Sequence, residues 1–305
     1  MVLGLIYGFV AALGQSISYF CTRLFVIRRA QGVIRLLVLG HLLMGAAAAL
    51  LLPVVWPERM PPVGAFFWPL MGTAWFYLLG QAGFFFALRY IDASRVSPML
   101  GLKIVILAAI TVVILDHPLS PLKWAGVVLS VAAAFVLNYS GGRLSWRVLG
   151  GVLFACLMYS LSDLSIRRLV DEVRLIDESA PAAELGLVRA SLVCVFMTYV
   201  VCGLVSLPLL IWAGPKALGD LKYAVPFAVS WLGAMIFLFA CFGSIGVVFG
   251  NVIQSTRGLM TVLMGAGIAA LGMVHLEGRT TRAVFLRRVG AAAMMSIAIV
   301  LFVVG

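Results

Sequence analysis

The chain has 305 residues, of which 64% are apolar and only 11% are charged, and its formal net charge is +11. Ordinary soluble domains carry about 25% charged residues, so a soluble core cannot absorb this excess of apolar side chains, whereas a lipid bilayer can. The basic residues lie mostly between the apolar runs, where positive charge marks cytoplasmic loops, so nucleic acid is not an expected partner. The sequence predicts an all-α polytopic protein of a cell (plasma) membrane.

Ten apolar runs are long enough to cross the bilayer as helices. About 20 residues span about 30 Å of hydrocarbon, and backbone amides in lipid must be bonded within their own segment. The first five runs are 3–22, 33–55, 65–88, 96–115 and 121–140. The second five are 147–166, 186–213, 223–243, 248–273 and 284–304. Only the Gly-rich stretch Gly243–Gly250 separates the eighth run from the ninth, so it is predicted to hold the turn.

The connections between the runs carry turn signals. Ser120 and Pro121 are typical of an N-cap followed by a first-turn proline at the start of helix five. The longest connection, 167–185, mixes acidic and basic residues and contains Pro181. It is predicted to be a solvated loop, with a short surface helix as the alternative.

An internal repeat relates the two halves of the chain. A shift of 144 residues aligns helix one with helix six at four pairs: Ser16 with Ser160, Ser18 with Ser162, Arg23 with Arg167, and Val26 with Val170. A shift of 154 residues places Lys103 on Arg257, and Arg35 and Arg189 both open the second helix of their unit. The sequence therefore predicts two five-helix units, 1–142 and 143–305. An odd number of helices makes the two copies inverted, which is a recurring architecture of secondary transporters.

Three stretches carry a likeness to a known family. They are Ala87-Leu-Arg-Tyr-Ile-Asp-Ala-Ser-Arg95, Leu115-Asp-His-Pro-Leu-Ser-Pro-Leu-Lys-Trp-Ala-Gly126 with Leu137-Asn138, and Tyr159-Ser-Leu-Ser-Asp-Leu-Ser-Ile-Arg-Arg168. They resemble the drug/metabolite transporter superfamily, of the ten-helix EamA-like type. The second half departs from that pattern at 254–258 and 275–288. The resemblance implies the fold but no particular substrate, because the superfamily moves amino acids, sugars, nucleotide-sugars, phosphorylated metabolites and toxic cations.

Lys103 and Arg257 are the first candidates for a substrate site, because ionisable groups inside a membrane are costly and rare. Inverted repeats place the two side chains opposite one another near the midplane. Two converging cations suit an anionic or carboxylate-bearing substrate, and phosphate-carrying members of the resembled superfamily use basic residues on these helices. The alternative is that each long side chain extends to an interface or caps a neighbouring helix.

Asp163 and His41 are candidates for coupling transport to a proton or an ion. Three roles are open for Asp163. It is a protonation site, or a partner of Lys103 or Arg257 in the empty carrier, or a partner of Arg167 in an i,i+4 pair at the helix end. His41 has an unperturbed pKa near about 6.5 and suits a proton relay. The alternative for His41 is a buried, hydrogen-bonded structural histidine.

Uncharged polar residues in the predicted helices either line a cavity or bond a neighbouring helix. They are Gln15, Ser16, Gln81, Tyr159, Ser160, Asn251, Gln254 and Ser255. We expect a binding site between the two units, lined by helices one, three, four, six, eight and nine. Its substrate-binding set is Lys103, Arg257, Gln15, Gln81, Tyr159, Gln254 and Asn251. Small residues at four-residue spacing predict close helix packing within the chain; they are Gly4, Gly8 and Ala12, and Gly126, Ser130 and Ala134.

The sequence has no GxxxxGK[ST] phosphate loop, no HExxH metal spacing and no GxSxG nucleophile motif. We therefore expect no enzyme activity, no cofactor and no metal, and an energy source in a proton, ion or counter-substrate gradient. The first hypothesis is an alternating-access carrier of a small organic metabolite, as a monomer or homodimer. The second is a lipid flippase, or a channel-like or partner-binding membrane protein. Lys and Arg are more frequent in the odd-numbered connections, which puts both termini outside, whereas ten-helix relatives usually have them inside.

Overall fold

The computed structural model describes residues 2–29, 32–113, 119–138, 145–174, 186–214, 217–273 and 281–304. The described residues form helices and short connections and contain no strand. The α-helices are α1 Val2–Arg28, α2 Gly32–Val55, α3 Val63–Tyr90, α4 Ala93–Met99, α5 Lys103–Val113, α6 Pro121–Asn138, α7 Trp146–Arg174, α8 Leu187–Ser206, α9 Leu210–Ala213, α10 Leu221–Ala270 and α11 Arg282–Val304. The prediction of an all-α polytopic membrane protein is confirmed.

Seven of the described helical segments are long and apolar enough to cross a membrane. They are Val2–Arg28, Gly32–Val55, Val63–Tyr90, Trp146–Arg174, Leu187–Ser206, Ala217–Val247 and Arg282–Phe302. The three other predicted crossings coincide with α4 and α5 together, with α6, and with the last part of α10. At the start of α6, Ser120 Oγ accepts a hydrogen bond from the Lys123 backbone amide at 3.2 Å, so the predicted N-cap is confirmed.

Gly246 divides α10 into two helical segments. Its φ is 78° and its ψ is 163°, whereas the residues on both sides are helical. Only glycine adopts this conformation readily, because it has no Cβ. The turn predicted within Gly243–Gly250 is therefore confirmed, and it is made by a single residue rather than a loop.

The fourth predicted crossing is broken, although the sequence was interpreted as one continuous helix over 96–115. A 3₁₀ turn at Leu100–Leu102 separates α4 from α5. Pro98 and Gly101 account for the break, since proline removes a backbone donor and glycine weakens a helix. Lys103 is the first residue after the turn, so the break sets the position of a candidate site residue.

The connection predicted over 167–185 is partly helix, because α7 continues to Arg174. The charged residues that ended the apolar run stabilise this extension instead of breaking it. Arg167 Nε lies 2.7 Å from Asp171 Oδ2, an i,i+4 ion pair on the helix surface. Residues 175–185, which include Pro181, lie outside the described residues.

The helix pairing is symmetric between the two predicted units. The largest contacts join α1 to α10, α3 to α7, α2 to α8 and α6 to α11. If each helix is replaced by its counterpart in the other unit, the contact between α1 and α10 becomes the contact between α3 and α7. The contacts of α2 with α8 and of α6 with α11 each join two counterparts and therefore stay the same. This is the pattern that a five-plus-five duplication requires.

Two pairs of equivalent arginines make equivalent contacts, which supports the duplication independently. Arg23 donates to the Leu88 carbonyl at 2.5 Å, and Arg167 donates to the Phe242 carbonyl at 2.9 Å. Leu88 and Phe242 are themselves 154 residues apart. Each arginine therefore binds the carboxyl end of the third helix of its own unit.

The second pair of arginines acts between the units. Arg35 donates to the Ala213 carbonyl at 2.9 Å, and Arg189 donates to the Val55 carbonyl at 3.1 Å. Each side chain thus binds the backbone at the end of the other unit's second helix. Because residues 139–144 lie outside the described residues, the division between 1–142 and 143–305 stays a prediction.

The small residues at four-residue spacing lie at helix contacts, as predicted. A Cβ on Gly8 would lie 2.8 Å from Ile253 Cγ2 of α10, and one on Gly126 would lie 2.6 Å from the Ala298 carbonyl oxygen of α11. These spacings therefore serve packing within the chain. The alternatives of monomer and homodimer stay open.

Candidate functional site

A cavity of about 120 Å³ lies between α4, the start of α5 with the turn that precedes it, α7, the last part of α10, and α11. Its polar lining comprises Ser97, Lys103, Ser160, Asp163, Asn251, Gln254, Ser255 and Arg257. Arg257 follows the Gly246 turn by eleven residues, or about 16 Å at 1.5 Å per residue. That is roughly half of the hydrocarbon thickness, which predicts that Arg257 lies near the middle of the membrane.

Lys103, Asp163 and Asn251 form a hydrogen-bonded group on one side of the cavity. Lys103 Nζ lies 2.5 Å from Asp163 Oδ2, and Asn251 Nδ2 donates to the same oxygen at 3.1 Å. Lys103 Nζ is also 3.5 Å from Asn251 Oδ1. Of the alternatives for Asp163, the ion pair with Lys103 is present. The pair with Arg167 is absent, because Arg167 is bound to Asp171 and to backbone carbonyls.

Arg257 lies on the other side of the cavity and contacts no carboxylate of the described residues. Its Nη1 donates to Gln15 Oε1, and its guanidinium carbon lies 5.5 Å from the centre of the Tyr19 ring. Its Nε and the neighbouring Gln254 Oε1 are buried with no hydrogen-bond partner in the described part of the chain. Buried polar atoms are almost always bonded, so these two atoms point to a ligand.

Four side chains, three of them buried and one partly buried, form a one-directional hydrogen-bond chain beside the cavity. Tyr159 donates to Gln81 Oε1, and Gln81 Nε2 donates to the Tyr77 oxygen, each at 3.0 Å. His41 Nε2 lies 3.0 Å from that oxygen, and its Nδ1 lies 2.5 Å from the Leu37 carbonyl. Because a carbonyl only accepts, Nδ1 carries the proton and Nε2 accepts from Tyr77. Both ring nitrogens are therefore satisfied, which favours the structural alternative for His41.

The predicted site residues fall into two groups. Lys103, Arg257, Asp163, Asn251 and Gln254 line the same cavity. Gln15 reaches it through its bond to Arg257, whereas Gln81, Tyr159 and His41 belong to the neighbouring hydrogen-bond chain. Of the predicted lining helices, one, three and eight contribute no lining side chain among the described residues, and the tenth predicted helix, α11, supplies an apolar wall that was not predicted.

Tyr19 and Ser97 were missed from the sequence. Ser97 lines the cavity, and its Oγ lies 3.1 Å from Thr261 Oγ1. Tyr19 lies beneath Arg257. The signal for Tyr19 was present, because the 144-residue shift that aligns Ser16 with Ser160 also aligns Tyr19 with Asp163.

Comparison with known proteins assigns a family to the first half of the chain. Residues 2–139 match the EamA-like transporter family. The resemblance to EamA-like proteins is thereby confirmed over the predicted first unit, and the match implies a membrane transporter of the drug/metabolite type. No curated protein matches the chain significantly.

Among the solved structures, 20 chains match this chain. One crystal structure superimposes with a TM-score of 0.58 at 13% sequence identity. The alignment covers 97% of this chain and 95% of that one. At this identity the likeness concerns the fold alone, and it covers both halves of the chain.

Proposed function

We propose that this EamA-like protein is a secondary transporter that carries a small organic anion across a cell membrane by alternating access. The observation that carries the proposal is the charge of the cavity. Arg257 contacts no carboxylate of the described residues, and an unpaired cation within a membrane is costly. A substrate carboxylate or phosphate would remove that cost by pairing with it.

The guanidinium group suits this role. Arginine presents donors in a planar fork that matches a carboxylate or phosphate, and the Nε of Arg257 has no partner among the described residues. Gln15 holds the side chain from α1. Gln254 donates its Nε2 to the Gly8 carbonyl at 3.0 Å. Its Oε1, which has no partner among the described residues, is an acceptor that suits a hydroxyl or another donor of the substrate rather than the anionic group.

The remaining predicted residues have supporting roles in this proposal. Lys103 and Asn251 hold Asp163, which is the group best placed to couple transport to a proton or an ion. Tyr159 packs beside Lys103, whose Nζ lies 6.0 Å from the centre of the Tyr159 ring. Gln81 holds Tyr159 in place by accepting its hydrogen bond. His41 accepts a hydrogen bond from Tyr77, which in turn accepts one from Gln81. His41 therefore has a structural role and no coupling role in this proposal.

The helix breaks favour alternating access as the mechanism. The 3₁₀ turn at Leu100–Leu102 and the turn at Gly246 interrupt the two helices that supply Lys103 and Arg257. Discontinuous helices at the interface between repeats are typical of carriers in which one half moves against the other. The substrate would bind between helices that separate alternately on the two faces.

A thermal-shift screen of the purified protein in detergent tests the proposal. The probes are pyruvate, malonate, glutamate, inorganic phosphate, choline and glucose. A ligand at one hundred times its dissociation constant stabilises the folded form by about 2.7 kcal/mol. We expect an anion to raise the unfolding temperature of the wild type and of Arg147→Gln, an exposed control, but not of Arg257→Gln. Stabilisation by choline alone would contradict the proposal, and no response to any probe would favour the lipid flippase alternative.

A further inference from the structure

The two basic residues of the cavity occupy equivalent places against the opposite unit. Lys103 lies 6.0 Å from the Tyr159 ring centre and forms an ion pair with Asp163 on α7. Arg257 bonds to Gln15 and lies over the ring of Tyr19 on α1. Gln15 and Tyr159 are 144 residues apart, and so are Tyr19 and Asp163. Each cation thus contacts the same two positions of the other unit's first helix.

The equivalent positions differ in charge. Asp163 supplies a carboxylate to Lys103, whereas Tyr19 places an aromatic ring 5.5 Å from the guanidinium carbon of Arg257 and supplies no carboxylate. The described lining therefore contains two cations and one anion. The Lys103 side is neutral as it stands, and the Arg257 side has one positive charge without a counter-charge.

We propose that this asymmetry makes the cavity selective for monoanions, because Asp163 already supplies the negative charge that neutralises Lys103. The inference rests on the proposed function and specifies its substrate class: a small molecule with one carboxylate or one singly charged phosphate ester. Its charged group pairs with Arg257. Its uncharged part faces the apolar wall of Met295, Ile299 and Phe302 from α11.

A dianion is excluded by the ion pair itself. A second negative group would have to displace Asp163 from Lys103 at 2.5 Å and from Asn251 at 3.1 Å. The displaced carboxylate would then lie beside that group as an uncompensated like charge. Like-charge pairings of this kind help to reject wrong ligands.

Pyruvate and malonate provide a matched test, because both have three carbons and at neutral pH they carry one and two negative charges. Their dissociation constants are measured by thermal shift for the purified wild type, Asp163→Asn, and the double variant Lys103→Gln with Asp163→Asn. The wild type is expected to favour pyruvate. Asp163→Asn leaves two uncompensated cations and should shift the preference toward malonate by about tenfold. The double variant restores a single cation and should favour pyruvate again.

The outcomes separate this inference from the proposed function. If neither anion stabilises the wild type while choline does, the anion site itself is wrong and the inference falls with it. If the wild type binds anions but favours malonate, or if Asp163→Asn and the double variant show the same preference, the anion site stands and monoanion selectivity is refuted. If Asp163→Asn does not fold, malonate preference in the folded double variant contradicts the inference, and pyruvate preference supports it.

Discussion

Lys103 and Asp163 form an ion pair that joins the two predicted units, with 2.5 Å between Nζ and Oδ2. Removing one partner leaves the other as an unpaired charge at membrane depth. Lys103→Gln and Asp163→Asn should therefore each destabilise the protein by about 3 kcal/mol, whereas the double variant should lose less than either single variant. Apparent unfolding midpoints of the four proteins in one detergent test this cycle. Additive losses would mean that the pair contributes no coupling energy.

The Gly246 turn predicts a backbone effect that is independent of packing. A Cβ at this position would meet no atom within 4 Å, so Gly246→Ala tests only the conformation at φ 78°. The strain should destabilise the protein by about 1–3 kcal/mol. Gly233→Ala in the same helix also meets no atom within 4 Å but lacks the positive φ, so it should be neutral or slightly stabilising. Equal thermal stability of the two variants would show that the turn is not strained.

The contact between α2 and α8 predicts a loss of stability that comes from helix packing rather than from backbone conformation. A Cβ on Gly45 would lie 2.7 Å from the Cα of Gly203, and backbone atoms cannot move aside as a flexible side chain can. Gly45→Ala should separate the two helices and lower the unfolding midpoint. Gly267→Ala, which meets no atom within 4 Å, is the control. A Gly45→Ala protein as stable as this control would argue against the close contact between the units.

Much of the fold was predictable from the sequence because the thickness of the membrane fixes the length of an apolar helix that crosses it. Apolar runs gave the crossings, and Gly243–Gly250 and Ser120 gave a turn and a cap, since these signals are local. The break before Lys103 was missed although Pro98 and Gly101 were visible. Proline occurs within many membrane helices without ending them, so its presence does not fix where a helix is interrupted.

The candidate site was predicted in part. Lys103 and Arg257 were expected in one cavity because the repeat relates them, and both line it. The partner of Asp163 could not be decided, since Arg167, Lys103 and Arg257 were all available and only the tertiary arrangement separates them. Tyr19 was missed because an aromatic residue in an apolar run has no charge to single it out.

The cavity charge predicts a mode of transport. With a monoanion bound, the charges of Lys103, Asp163, Arg257 and the substrate cancel, whereas the empty cavity keeps one positive charge that is costly to move through a membrane. The carrier should return more readily when loaded than when empty. Proteoliposomes preloaded with unlabelled pyruvate should take up labelled pyruvate several-fold faster than those preloaded with glucose. Equal initial rates would contradict this charge argument.

The central claim is that Arg257 binds the transported anion. The most direct test is uptake into proteoliposomes of the anion that stabilises the purified protein most, compared among the wild type, Arg257→Gln and the exposed control Arg147→Gln. The account predicts uptake by the wild type and the control, and none above protein-free vesicles for Arg257→Gln, with all three proteins folded and equally incorporated. Uptake by Arg257→Gln at the wild-type rate would contradict it.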